Sequence, residues 1–165
     1  MMRVLLGPLS NLTQAVQTLT KNRSDAIVIG KFTIHLSIIF TLIMCTFYNE
    51  MIRQYTLENI MGLPQSMVDY ITPALLLTPL LALSMTAAAY TRGQLLASRK
   101  TVTIAFASVA RILAVCTIGL IALSFSDVNG AVVGVVALIG AFTTEATILG
   151  SKVLYAERWQ GGLFC

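Results

Sequence analysis

Two residues of opposite charge, Arg111 and Glu145, stand deep inside long apolar runs of this chain. A charge on a helix crossing lipid costs about 3 kcal/mol on insertion scales, so each needs a partner or a wet cavity. Both are equally distant from Val128, near the turn joining the two runs, so an antiparallel helix pair sets them at one depth. Arg111 falls about 15 Å into its run, and Glu145 about 14 Å from the end of its own. Two chemistries fit such a pair. It is either an ion pair fixing helix register, or a substrate and coupling site. In the second, Glu145 takes up a proton or cation and Arg111 holds an anion. Glu145 shares a helix face with Gly130, Gly134, Ala137 and Ala141, a small-residue stripe that lets membrane helices approach closely. Arg111 shares one with Ala107 and Ala114, so both charges are expected to point into a bundle.

Weaker candidates surround this pair. Lys31 and His35 stand four apart near one end of the first apolar run. Lys31 is expected to snorkel to the interface, and His35 to pack neutrally or to relay protons. Asp69 sits at the edge of another run and is expected to face headgroups. That run carries Pro73 and Pro79, each of which removes a backbone donor and leaves a carbonyl one turn back, at Asp69 and at Leu75, without its usual partner. In lipid such carbonyls need protein or a watery cavity, so a proline-broken helix is expected here.

The elements that must position these residues follow from hydropathy. Of 165 residues 56% are hydrophobic and only 11% charged, with a mean hydropathy of +0.82. Soluble domains carry about 25% charged residues, so this composition cannot cover a water-facing globule. The expected fold is all-α: one polytopic membrane bundle over residues 1–165, with spans at 26–48, 68–90, 101–125 and 130–154. Residues 1–25 are read as a partial helix and cytoplasmic loop. Residues 49–67 are read as an interfacial helix, because Met51, Ile52, Tyr55 and Ile60 recur at helical spacing before Gly62 and Pro64.

Loop charge sets the orientation. Lys21, Arg23, the Thr91–Lys100 loop with Arg92, Arg99 and Lys100, and the segment with Lys152 and Arg158 alternate with the acidic or neutral connections holding Glu50, Glu58 and Asp127. By the positive-inside rule the basic segments and the C-terminus are cytoplasmic. The net charge of +4 is scattered and forms no stripe, so no nucleic acid is expected. Cys45, Cys116 and Cys165 lack metal-ligand spacing. No HExxH, GxSxG or phosphate-loop signature occurs, so neither an enzyme nor a cofactor is implied.

One ordered set of segments resembles a known family. Gly62 follows the interfacial helix, then come Pro73 and Pro79, and then Arg92-Gly93-Gln94-Leu95-Leu96-Ala97-Ser98-Arg99-Lys100-Thr101. Ser108-Val109-Ala110-Arg111-Ile112 and Val128-Asn129-Gly130-Ala131-Val132-Val133-Gly134-Val135 with Glu145 complete it. The set resembles the C-terminal lobe of the multidrug and toxin extrusion/polysaccharide flippase (MOP) superfamily, and within it most the progressive ankylosis (ANK) family. That resemblance implies a MATE-like secondary transporter with two lobes around a central cavity, moving a small anion such as pyrophosphate by alternating access. It also implies a missing or separately encoded N-terminal lobe, the chain being a fragment, or a homo-oligomer. The alternative is a small membrane scaffold or assembly subunit whose Arg–Glu pair is structural.

Overall fold

Unbroken runs of Leu, Ile, Val and Ala satisfy their backbone groups within one segment only as helices. In the computed structural model, residues 2–20, 23–125 and 128–159 are described, and among them every element is helical. The elements are α1 (Met2–Leu19), α2 (Arg23–Cys45, extended by a 3-10 turn at Thr46–Tyr48) and α3 (Glu50–Gln54, continuing as a π-helical segment Tyr55–Ile60). They continue with α4 (Gln65–Leu76), α5 (Thr78–Ala97), α6 (Thr101–Leu123) and α7 (Gly130–Trp159). Ser24–Tyr48, Thr101–Leu123 and Gly130–Leu154 are long and apolar enough to cross a membrane. The pair α4 and α5 passes the same test only together, bent by 45°. Lys21, Asp127 and Cys165 lie outside the described residues, as do the side chains of Arg23, Glu157 and Arg158.

The expected span at 68–90 is therefore not one continuous helix, and only one of its prolines accounts for that. Pro73 is accommodated inside α4. The break falls at Leu77, just ahead of Pro79, which takes one of the first two positions of α5, where a missing N–H costs little. The Leu75 carbonyl that Pro79 deprives of a partner accepts instead from the Thr78 hydroxyl at 2.7 Å. The neighbouring Leu76 carbonyl accepts from the Tyr48 hydroxyl at 2.8 Å, tying the end of the first span to the bend. At these two carbonyls protein hydroxyls supply the partners.

α5 is the hub. It runs antiparallel to α2, with Tyr90 at Ala26 and Gly30 and Leu81 beside Met44. It runs parallel to α7, with Ile139 and Phe142 against the Leu81–Ala82 cluster and Arg92 further on at Glu145. α6 packs antiparallel on α7, through Ala107 beside Leu149 and Ile118 against Gly140. α1, too polar to span lipid by its sequence, shelters against α5. Leu12 and Val16 are buried with Ile29 and Ala89, and the Thr13 hydroxyl donates to the Ala89 carbonyl at 3.3 Å. The outward faces of α2 and α6 carry exposed Phe32, Ile38, Leu42, Phe106, Leu113 and Leu120, which is compatible with a membrane protein.

The segment expected as one interfacial helix over 49–67 is shorter and irregular. Asn49 caps α3, its side chain accepting from the Met51 and Ile52 N–H groups. Gly62, with φ at 66°, closes the π-helical turn, as a left-handed residue should. Gln65–Met67 already belong to α4. The apolar face survives: Met51 is 80% exposed, with Ile52, Tyr55 and Ile60 beside it, while Thr56 and Leu57 turn inward.

The small-residue stripe on α7 also needs correction. Both Gly130 and Gly134 are exposed; a Cβ at Gly130 would meet the Tyr70 hydroxyl of α4 at 3.2 Å, while nothing lies within 4 Å of one built at Gly134. The buried line instead runs Ala137, Ala141, Glu145, Leu149 and Val153. Close approach is needed elsewhere, at Gly93, where a Cβ would meet Val16 Cβ at 2.6 Å and the Thr13 carbonyl oxygen at 3.0 Å. Gly93→Ala is expected to lower unfolding stability in detergent micelles by about 1–2 kcal/mol, because a buried valine and a backbone carbonyl cannot give way. Gly134→Ala is expected to leave it unchanged or raise it by up to about 1 kcal/mol through helix propensity.

Candidate functional site

Three helices deliver three charged side chains to one point. α7 places Glu145 between Ala141 and Leu149 on its buried line, where the residue is 0% exposed. α6 brings Arg111 on the same face as Ala107, and its Nη1 donates to Glu145 Oε2 at 3.1 Å. α5 contributes Arg92, whose Nε donates to Glu145 Oε1 at 2.8 Å and whose Nη2 contacts the same oxygen. The antiparallel pairing of α6 and α7 thus sets Arg111 and Glu145 side by side, at the depth their distances from Val128 imply.

Arg92 is the residue that sequence reasoning missed. It was placed in a cytoplasmic Thr91–Lys100 loop, but α5 continues to Ala97 and the loop shrinks to Ser98–Lys100. The helix ends where Arg99 adopts a left-handed conformation, φ 56°, and the Lys100 N–H donates to the Leu95 carbonyl at 2.9 Å. The available signal was periodicity rather than hydropathy. Met85, Ala88, Ala89 and Arg92 fall on one helical face, and Gln94-Leu95-Leu96-Ala97 are good helix formers.

The electrostatics are lopsided. Two guanidinium groups oppose one carboxylate, leaving one net positive charge inside the bundle. Each guanidinium carries five N–H donors. Among the described residues, those not spent on Glu145 have no other hydrogen-bond partner. The Arg92 and Arg111 side chains remain 27% and 33% exposed. Arg111 also lies over the Phe142 ring, 5.8 Å from its centroid, within cation–π range.

That exposure opens onto space. A cavity of about 170 Å³ lies between α1, α5, α6 and α7, lined by Thr13, Met85 and Ala88 together with Arg92, Arg111 and Phe142. On the other side, a groove of about 390 Å³ runs between α6 and α7 along Val115, Cys116 and Leu138. Arg111 and Phe142 form the wall common to both. Fixed donors with excess positive charge beside a small cavity can bind an anion.

The remaining candidates do not join this cluster. Lys31 and His35 are exposed on α2, and the His35 Nδ1 lies 2.7 Å from the Lys31 carbonyl. Asp69 and Pro73 are exposed on α4, and Pro79 is buried at the bend. No group of His, Cys, Asp and Glu that could hold a metal occurs among the described residues. No protein-family model matches the chain, and no solved structure matches it.

Removing the carboxylate leaves two half-buried cations facing one another. Glu145→Ala is expected to cost about 2–3 kcal/mol of unfolding stability, less than for a fully buried pair because both arginines reach solvent. Arg92→Gln is expected to cost more than Arg111→Gln, since Arg92 supplies two of the three contacts. Denaturant midpoints of the three variants in micelles check the order.

Proposed function

We propose that the chain is part of a multi-pass membrane transporter of the MATE-like kind, resembling the ANK family, that moves a small anion by alternating access. The observation that carries this reading is the excess of arginine over carboxylate at Glu145, next to a cavity inside the bundle. In it, α4 and α5 count as one bent span, making four, and the interfacial segment around Met51 and Tyr55 lies at the outer surface. Arg99 and Lys100 then face the cytoplasm with the C-terminus. The lipid-facing sides of α2 and α6 leave room for a partner, either a separately encoded N-terminal lobe or further copies of the chain. No enzymatic role and no cofactor are proposed.

A second reading has its own support. Complete burial of Glu145 is what a structural clamp joining α5, α6 and α7 requires, and a scaffold subunit would need nothing else. Flux separates the two. Vesicles carrying the protein with its assembly partners are expected to take up sulfate or phosphate several-fold faster than protein-free vesicles. Vesicles with the Arg92→Gln, Arg111→Gln double variant should match the protein-free rate. Equal flux in all three preparations removes the transporter reading and leaves the clamp.

A further inference from the structure

Glu145 is held by the same two arginines that line the cavity between α1, α5, α6 and α7. Its two oxygens accept three guanidinium contacts, from Arg92 Nε and Nη2 and from Arg111 Nη1, so the carboxylate is a tethered anion already seated between both arginines. A free anion entering the Thr13–Met85–Arg92–Arg111 cavity meets first the guanidinium donors that Glu145 leaves unspent, and draws the arginines away from the carboxylate as it takes the rest. The geometry points to a proton-linked site: binding of a small dianion displaces Glu145 from the arginines and is accompanied by uptake of one proton on its carboxylate. This rests on the anion-site reading above and adds the coupling ion and its direction.

Charge counting supports the linkage. With Glu145 ionised the cluster carries +1, so a dianion would leave −1 buried in a poorly solvated bundle. A proton moving from water to a Glu145 oxygen brings the loaded site to zero and frees the arginine donors for the ligand. Charges buried without compensation are costly, so proton and dianion favour one another's binding. Such coupling is reciprocal.

Among the described residues, the charged groups facing Glu145 are Arg92 from α5 and Arg111 from α6. α1 offers uncharged Thr13 at the cavity. α4 meets α7 at its far end, where the Tyr70 hydroxyl accepts from the Gly130 N–H and the Asn129 amide donates to the Tyr70 carbonyl. Glu145 is therefore the one carboxylate in the described cluster.

Sulfate tests this, because it stays a dianion throughout the working range. Calorimetry on the purified full chain in micelles is expected to show sulfate affinity rising as pH falls from about 8 to about 5. The slope should approach tenfold per pH unit where one proton accompanies each anion. Buffers of differing ionisation enthalpy should report that proton uptake directly, with no variant needed. Glu145→Gln is expected to bind sulfate more tightly than wild type at the alkaline end and to lose the slope, whereas His35→Gln should keep it. Sulfate binding that needs Arg92 and Arg111 but shows neither slope nor proton uptake overturns the linkage and leaves the anion site standing. No sulfate binding at any pH, in wild type or in Glu145→Gln, removes both.

Discussion

The arrangement of α5, α6 and α7 depends on one buried carboxylate. α6 lies along α7 with one fully buried residue, Ala107 beside Leu149, while Ile118 rests on Gly140 and Arg111 reaches Glu145 between them. Apolar packing seals this level on either side. Met44, Phe47, Leu81 and Ala82 form one cluster, and Leu95, Ala107, Leu149 and Val153 another. Between them the helices meet through charge. Because a buried ion pair is strongly destabilised when one partner is lost, that contact specifies register more sharply than the small apolar strip around it does.

The bend ahead of α5 serves the same geometry from a distance. Arg92 lies about 22 Å along the helix from Leu77, so a small change in the direction of α5 at the break becomes a large displacement at Glu145. Thr78 and Tyr48 hold that direction by occupying the carbonyls of Leu75 and Leu76. The Tyr48 bond is the more consequential, because it ties the bend to α2 and makes the pose of α5 a property of two elements. Proline at the start of α5 permits the angle, while the hydroxyls choose it.

Much of this was legible from residue types, and the failures have a common cause. Arg111 and Glu145 could be paired because an antiparallel turn converts sequence distance into depth, and both lie far from a helix end. Arg92 was lost because hydropathy marks where an apolar run stops, not where a helix stops. α5 continues past Tyr90 with Gln94 buried in contact with the Tyr90 hydroxyl. Pro73 was overread for a related reason, since one missing donor can be absorbed inside a helix when tertiary contacts hold it. The Gly130 and Gly134 pair misled in the opposite direction. Small residues at helical spacing permit close approach, but Gly140 and Gly93, off that stripe, are where neighbouring side chains press in.

The second arginine bears on both readings of the cluster, the clamp and the proposed anion site. One guanidinium would satisfy Glu145 as an ion pair and leave a neutral core. Adding Arg92 from a different helix leaves an excess positive charge beside a cavity, where desolvation makes it expensive and no protein anion balances it among the described residues. Holding α5 to Glu145 is one structural return on that excess. On the proposed reading an anion arriving in the cavity gives it another, and the exposure both arginines retain while the carboxylate between them has none is the arrangement such a visitor would need.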